Sequence, residues 1–141
     1  SLSLPEAIQQ ESQRLNGELA KMLADPDYDS YNYRHYSYLT RGIYVDQLLH
    51  WFKIFPREQL LILKSEDLYQ NPSATVNQVL DFLELPSLEL PMYHPYNSST
   101  HDVEISPEFE QDLQEFFRPH NQRLVELLGN HFKWEESLDL D

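Results

Sequence analysis

The chain has no cysteine in 141 residues. That excludes a disulfide framework, a thiolate metal site and a cysteine nucleophile, and it fits a reducing, cytoplasmic compartment. Glycine is almost as scarce. Gly17, Gly42 and Gly129 stand too far apart to build a glycine-rich loop that cradles phosphate. Positive charge is short as well: 10 Lys and Arg face 24 Asp and Glu, a formal net charge of −14. Such an acidic chain repels nucleic acid and anionic membranes unless its cations cluster. No apolar run approaches the roughly 20 residues of a membrane span. The chain starts without Met, which is expected of a processed protein or of a piece of a longer one. What remains is globular in composition, 40% hydrophobic and 13% aromatic.

The helical signals are clear. In SLPEAIQQESQRLNGELAKMLADP, Ser3 and Glu6 form a capping-box pattern, Pro5 sits near the first turn, and Asp25-Pro26 closes the segment. Leu4, Ala7, Ile8, Leu15, Leu19, Met22 and Leu23 mark one face. Six tyrosines follow between Tyr28 and Tyr44, read as a loop and a short helix from about Tyr33 to Thr40. IYVDQLLHWFKIF is an amphipathic helix with Leu48, Trp51 and Phe55 expected in the core. A turn at Glu66–Gln70 and a helix over Ser73–Leu83, capped by Asn71 or Ser73, come next. The last helix starts at Ser106-Pro107 and ends at Gly129, and Pro119 predicts a kink or break near Phe117. Phe132 and Trp134 are expected to dock on the core.

One element stands out. QLLILKS is a continuous apolar run after Pro56, the pattern of a strand covered on both faces, as in parallel α/β sheets. A strand by itself leaves its backbone groups unpaired. Its partners must come from other sequence, a second polypeptide, or a second copy of the chain.

Gly42, Tyr44, Gln47, Leu48, Trp51, Phe55 and Pro56, then QLLILKSEDL, then an NP-x-A-T helix ending FLELP, resemble the C-terminal half of sulfotransferases. FFRPHNQRLVELLG resembles that family's last helix. The likeness runs from about Pro5 to Trp134 and is nearest to the bacterial, heparan-sulfate-type group. It implies the C-terminal portion of a P-loop-like α/β fold, mostly α here with one parallel-type strand. Residues 1–134 would be an incomplete sulfotransferase domain and 135–141 an acidic tail. It also implies transfer of a sulfuryl group from 3′-phosphoadenosine 5′-phosphosulfate to a hydroxyl or amine of a small molecule or glycan. The phosphosulfate loop and the 3′-phosphate site would lie before Ser1, so the chain alone is expected to be inactive. The resemblance places Arg41 and Tyr44 on the nucleotide side. Gln47 matches a position that is often His and faces the acceptor; Gln can hydrogen-bond a hydroxyl but is no base near neutral pH. Arg34, His35 and Tyr36 form a polar-aromatic cluster, of which Arg34 and Tyr36 are candidates for an acceptor wall. No catalytic residue is assigned. His94, His101 and His120 show no metal spacing.

The chain departs from the family in charge. From Ser65 to Phe117 there is no Lys or Arg, and YNSSTHDVEIS stands where many members carry basic residues. Two other readings therefore stay open: a non-catalytic helical interaction module, for which a strand-exchanged dimer is one arrangement, and an unrelated all-α fold with QLLILKS in a helix.

Overall fold

The structure is a computed structural model that describes residues 2–89 and 105–133. Trp134, the tail and most of the proline-rich loop lie outside those residues. The described chain is mostly helical and falls into two compact units: residues 2–48 with 105–133, and residues 49–89.

In the first unit, the N-terminal stretch makes three short helices: α1 (Leu4–Gln9), α2 (Glu11–Leu15) and α3 (Glu18–Ala24). The expected capping box at Ser3 and Glu6 is present, with the Ser3 N–H donating to Glu6 Oε2 at 2.8 Å. The single amphipathic helix expected here is a correction. Gly17 takes φ +76°, a left-handed conformation, and Asn16 leaves helical dihedrals, so the backbone turns between α2 and α3. The stripe is also occupied differently from the expectation. Leu19 and Leu23 are exposed, while Glu11 and Glu18 are buried, with only 4% and 5% of their surface exposed.

α4 (Tyr31–Tyr36) begins two residues earlier than expected, because Ser30 caps it and accepts from the Tyr33 N–H at 3.0 Å. A 3-10 turn at Thr40–Gly42 leads into α5 (Tyr44–Ile54). α8 (Pro107–Leu128) runs as one helix through Pro119, so of the expected kink or break the break does not occur. Pro119 removes one N–H donor, and the remaining bonds of a 22-residue helix carry it across the gap. Ser106 caps its start and Gly129, at φ +100°, ends it. Val45, Leu124 and Phe132 are the buried apolar residues among those described.

In the second unit, α6 (Ser65–Gln70) stands where a turn was expected, and it packs on α7 (Pro72–Phe82). Asn71 is the cap of α7, accepting from the Ala74 N–H at 3.2 Å. α7 ends with Glu84 at φ +56°, the Glu84 N–H on Asp81 O and the Leu85 N–H on Leu80 O, a Schellman arrangement built on a non-glycine residue.

Two expectations are corrected. No strand forms among the described residues. Leu60 (φ −122°, ψ 108°) and Lys64 (φ −84°, ψ 136°) have extended dihedrals, but among the described residues no strand ladder forms over 60–64; Leu60 instead donates its N–H to Arg57 O at 3.2 Å and accepts from Arg57 Nη1 at 2.7 Å. Leu61 and Leu63 are each 37% exposed, so the run is not covered on both faces. Trp51 and Phe55 are not core residues either: they stack on each other, ring centroids 5.6 Å apart, and are 49% and 39% exposed. Nothing among the described residues of their own unit closes over that face of α5.

Candidate functional site

Three of the five nominated residues, Arg34, Arg41 and Gln47, fall in one network at the end of the tyrosine-rich segment, and Tyr36 makes contacts of its own. Arg41 reaches from the 3-10 turn back to the end of α4, where its Nη2 donates to Arg34 O at 2.6 Å and to Ser37 Oγ at 3.4 Å. A cation there satisfies a helix-terminal carbonyl and complements the helix dipole. Gln47 Nε2 donates to Arg41 O at 2.8 Å, one turn into α5. Arg34 pairs with Asp29. Tyr36 lies under the Arg14 guanidinium, 4.3 Å from ring centroid to Cζ, and meets Tyr31 edge-on at 6.0 Å. The chain Asp29–Arg34–Arg41–Gln47 is thus continuous.

Two carboxylates that sequence reasoning missed hold this segment in place. Glu11 accepts from the Leu39 N–H (2.7 Å), the Thr40 N–H (2.9 Å) and the Thr40 hydroxyl (2.6 Å), so one carboxylate caps the 3-10 turn that carries Arg41. Glu18 accepts from Lys21 Nζ at 2.8 Å, from Tyr28 Oη at 3.0 Å and from the Ser30 hydroxyl. The Lys21 ammonium, then the Ser30 and Tyr28 hydroxyls, hold the Glu18 carboxyl down to about 2, against the desolvation that opposes ionisation. The signal was available. Glu11 and Glu18 are seven residues apart and fill positions of the stripe Leu4, Ile8, Leu15, Met22, where a charge is out of pattern.

Tyr44 is separate from the network. With Gly42 it forms one side of a cleft of about 390 Å³, and Leu113, Gln114 and Phe117 of α8 form the other. Gly42 is required by that closeness: a Cβ there would lie 2.8 Å from Phe117 Cε1 and Cζ. Asp46 and Arg123 form an ion pair at 2.7 Å between α5 and α8. Among the described residues no group of three or more His, Asp or Glu could hold a metal ion, and no helix is long and apolar enough to cross a membrane.

Residues 12–118 match the sulfotransferase domain family, and the chain belongs to it. Over 97 residues it is 31% identical to the membrane-associated sulfotransferase kil1 of Dictyostelium discoideum, covering 69% of this chain and 20% of that protein. It is 32% identical over 108 residues to human carbohydrate sulfotransferase 15, covering 69% of this chain and 19% of the relative. It is 27% identical over 124 residues to human heparan sulfate glucosamine 3-O-sulfotransferase 3B1, covering 71% of this chain and 32% of the relative. The chain therefore spans about a fifth to a third of the length of these relatives.

Proposed function

We propose that the chain is the C-terminal part of a sulfotransferase that uses 3′-phosphoadenosine 5′-phosphosulfate. The family match over residues 12–118 carries this reading. In the reaction an acceptor oxygen or nitrogen bonds to sulfur while the bond from sulfur to the bridging phosphate oxygen breaks. Adenosine 3′,5′-bisphosphate leaves, and the acceptor's proton passes to a base. This chain's part is to shape walls. Arg41, held by Arg34 O and tied to Gln47, is the cation on the nucleotide side. Gln47, Tyr36 and Arg34 are on the acceptor side, with Gln47 a hydrogen-bonding and not a proton-accepting residue. Carbohydrate and heparan sulfate sulfotransferases among the relatives support a hydroxyl- or amine-bearing acceptor. The run 60–64 takes the place of a sheet strand in the family fold, and the partial exposure of Leu61 and Leu63, each 37%, supports a covering from outside the described residues.

Thermal unfolding with increasing adenosine 3′,5′-bisphosphate tests the reading. A ligand that binds only the native state raises the midpoint with concentration, and at a hundred times Kd the gain is about 2.7 kcal/mol. A rise that Arg41→Ala abolishes supports nucleotide contact by this chain. A flat midpoint puts the donor site wholly outside it.

The exposure of Trp51, Phe55, Leu61 and Leu63 favours a second reading, a non-catalytic interaction module. A concentration-dependent mass in sedimentation, with no nucleotide response, would support that alternative.

A further inference from the structure

The cleft beside Tyr44 has a chemistry of its own. Its polar lining on α8 is rich in hydrogen-bond acceptors. Gln114 Nε2 donates to Glu110 Oε1 at 3.3 Å, which orients the pair and leaves the Gln114 amide oxygen and the second Glu110 oxygen to accept. Asn121, further along the same face, offers both a donor and an acceptor. The Phe117 and Tyr44 rings and Leu113 supply apolar surface. Among the described lining residues the one charged group is Glu110, in a chain of net charge −14.

Those features select a ligand. A phosphate, sulfate or carboxylate brings acceptors and negative charge, and meets acceptors and a carboxylate. A polyol brings O–H donors, and an amino sugar adds an ammonium, each matched by Gln114, Asn121 and Glu110. C–H faces of a sugar ring pack on aromatic surface. A volume of about 390 Å³ lies near the small end of the range for small-molecule sites, about 300–1,000 Å³, and suits one or two rings more than a polymer.

We propose that this cleft binds a neutral or amine-bearing sugar ring, and that it excludes polyanionic glycans. The inference rests on the sulfotransferase reading for its meaning, since the bound ring would belong to the acceptor. It moves Tyr44 from the nucleotide side to the acceptor side.

The test uses the whole 141-residue chain. Binding of methyl glucoside, methyl glucosaminide and a heparin tetrasaccharide is measured by saturation-transfer NMR and titration. Either monosaccharide should bind, and both should bind more tightly than the heparin probe. Gln114→Ala and Asn121→Ala should each weaken ring binding about ten-fold, the loss of roughly one well-made hydrogen bond. Glu110→Gln should remove any preference for the amino sugar. Circular dichroism checks that each variant keeps its helices. The proposal is overturned if neither ring binds, if heparin binds as tightly, or if the variants leave ring affinity unchanged. The nucleotide titration separates the two levels. Ring binding without a nucleotide response keeps the cleft and sinks the donor-site reading. A nucleotide response without ring binding does the reverse.

Discussion

At the residue scale, the two buried glutamates carry most of the local order. Glu11 satisfies two backbone N–H groups and a hydroxyl 28 and 29 residues away. Glu11→Ala would leave those donors without their partner, and we expect a loss of about 1–3 kcal/mol in urea unfolding. A change below about 0.5 kcal/mol would mean that water replaces the carboxylate at no cost. Glu18 has a pH signature. Its carboxyl ionises at about 2 in the folded chain against 4.5 ordinarily. The ionised form is favoured by folding, so its contribution is complete above 4.5 and fades as pH falls towards 2. Glu18→Gln should therefore lower the unfolding midpoint at pH 7, with the gap to the parent closing between pH 4.5 and 2. A gap constant with pH would refute the assignment. Neither residue was picked from the sequence, although both interrupt an apolar stripe. Periodicity names positions that face inward; it does not say that an inward carboxylate will find N–H groups on a distant turn.

At the element scale, the ends of helices were legible. Ser3, Asn71 and Ser106 hold three expected helix starts with short polar side chains, and the bonds they make are local ones that sequence spacing reports; Ser30 holds a fourth, two residues before the expected start. Glu84 is the exception. It occupies the left-handed position of a Schellman motif that favours glycine. Glu84→Gly should stabilise the second unit by about 1 kcal/mol, relief of left-handed strain exceeding the added entropy of the unfolded chain. No gain in denaturant midpoint would count against that conformation. Gly42 has the opposite logic. Its φ is unremarkable, and what it lacks is room: a side-chain carbon added there would meet Phe117 ring atoms at 2.8 Å. Gly42→Ala should cost about 1–3 kcal/mol, as overpacking does, and Phe117→Leu in the same chain should recover part of it. Independent, additive losses would show that the two positions do not touch. Sequence alone could place Gly42 in a motif, but the reason for it lies far along the chain, on α8.

At the scale of the whole molecule, the acidic, cysteine-free, helical character and the sulfotransferase resemblance followed from composition and from motifs in order. The family match confirms the resemblance. The apolar face of the second unit did not follow. Trp51 and Phe55 read as core by periodicity, yet they are exposed. Trp51→Ser should change stability by no more than about 0.5 kcal/mol, as a surface substitution does. A loss above about 2 kcal/mol would show that something covers this face in solution.

What the sequence determined by itself depends on near neighbours: the caps at Ser3, Asn71 and Ser106, the helix through Trp51, the stop at Pro56, and the family's ordered motifs. Backbone hydrogen bonds and side-chain periods act within a few residues, so they are written in adjacent letters. Only the tertiary structure decided that Glu11 caps the turn bearing Arg41, that Gln47 and Arg34 join that arginine, and that Tyr44 faces α8 across a cleft. The Glu11 and α8 contacts join residues well separated along the chain; the Arg34–Arg41–Gln47 bonds span only seven and six residues but cross from one helix through a turn into the next, and no single helical or strand period reports them. The strand expected at QLLILKS belongs to the same class. An extended backbone is a local property, whereas a strand exists only when another backbone supplies the matching N–H and C=O groups.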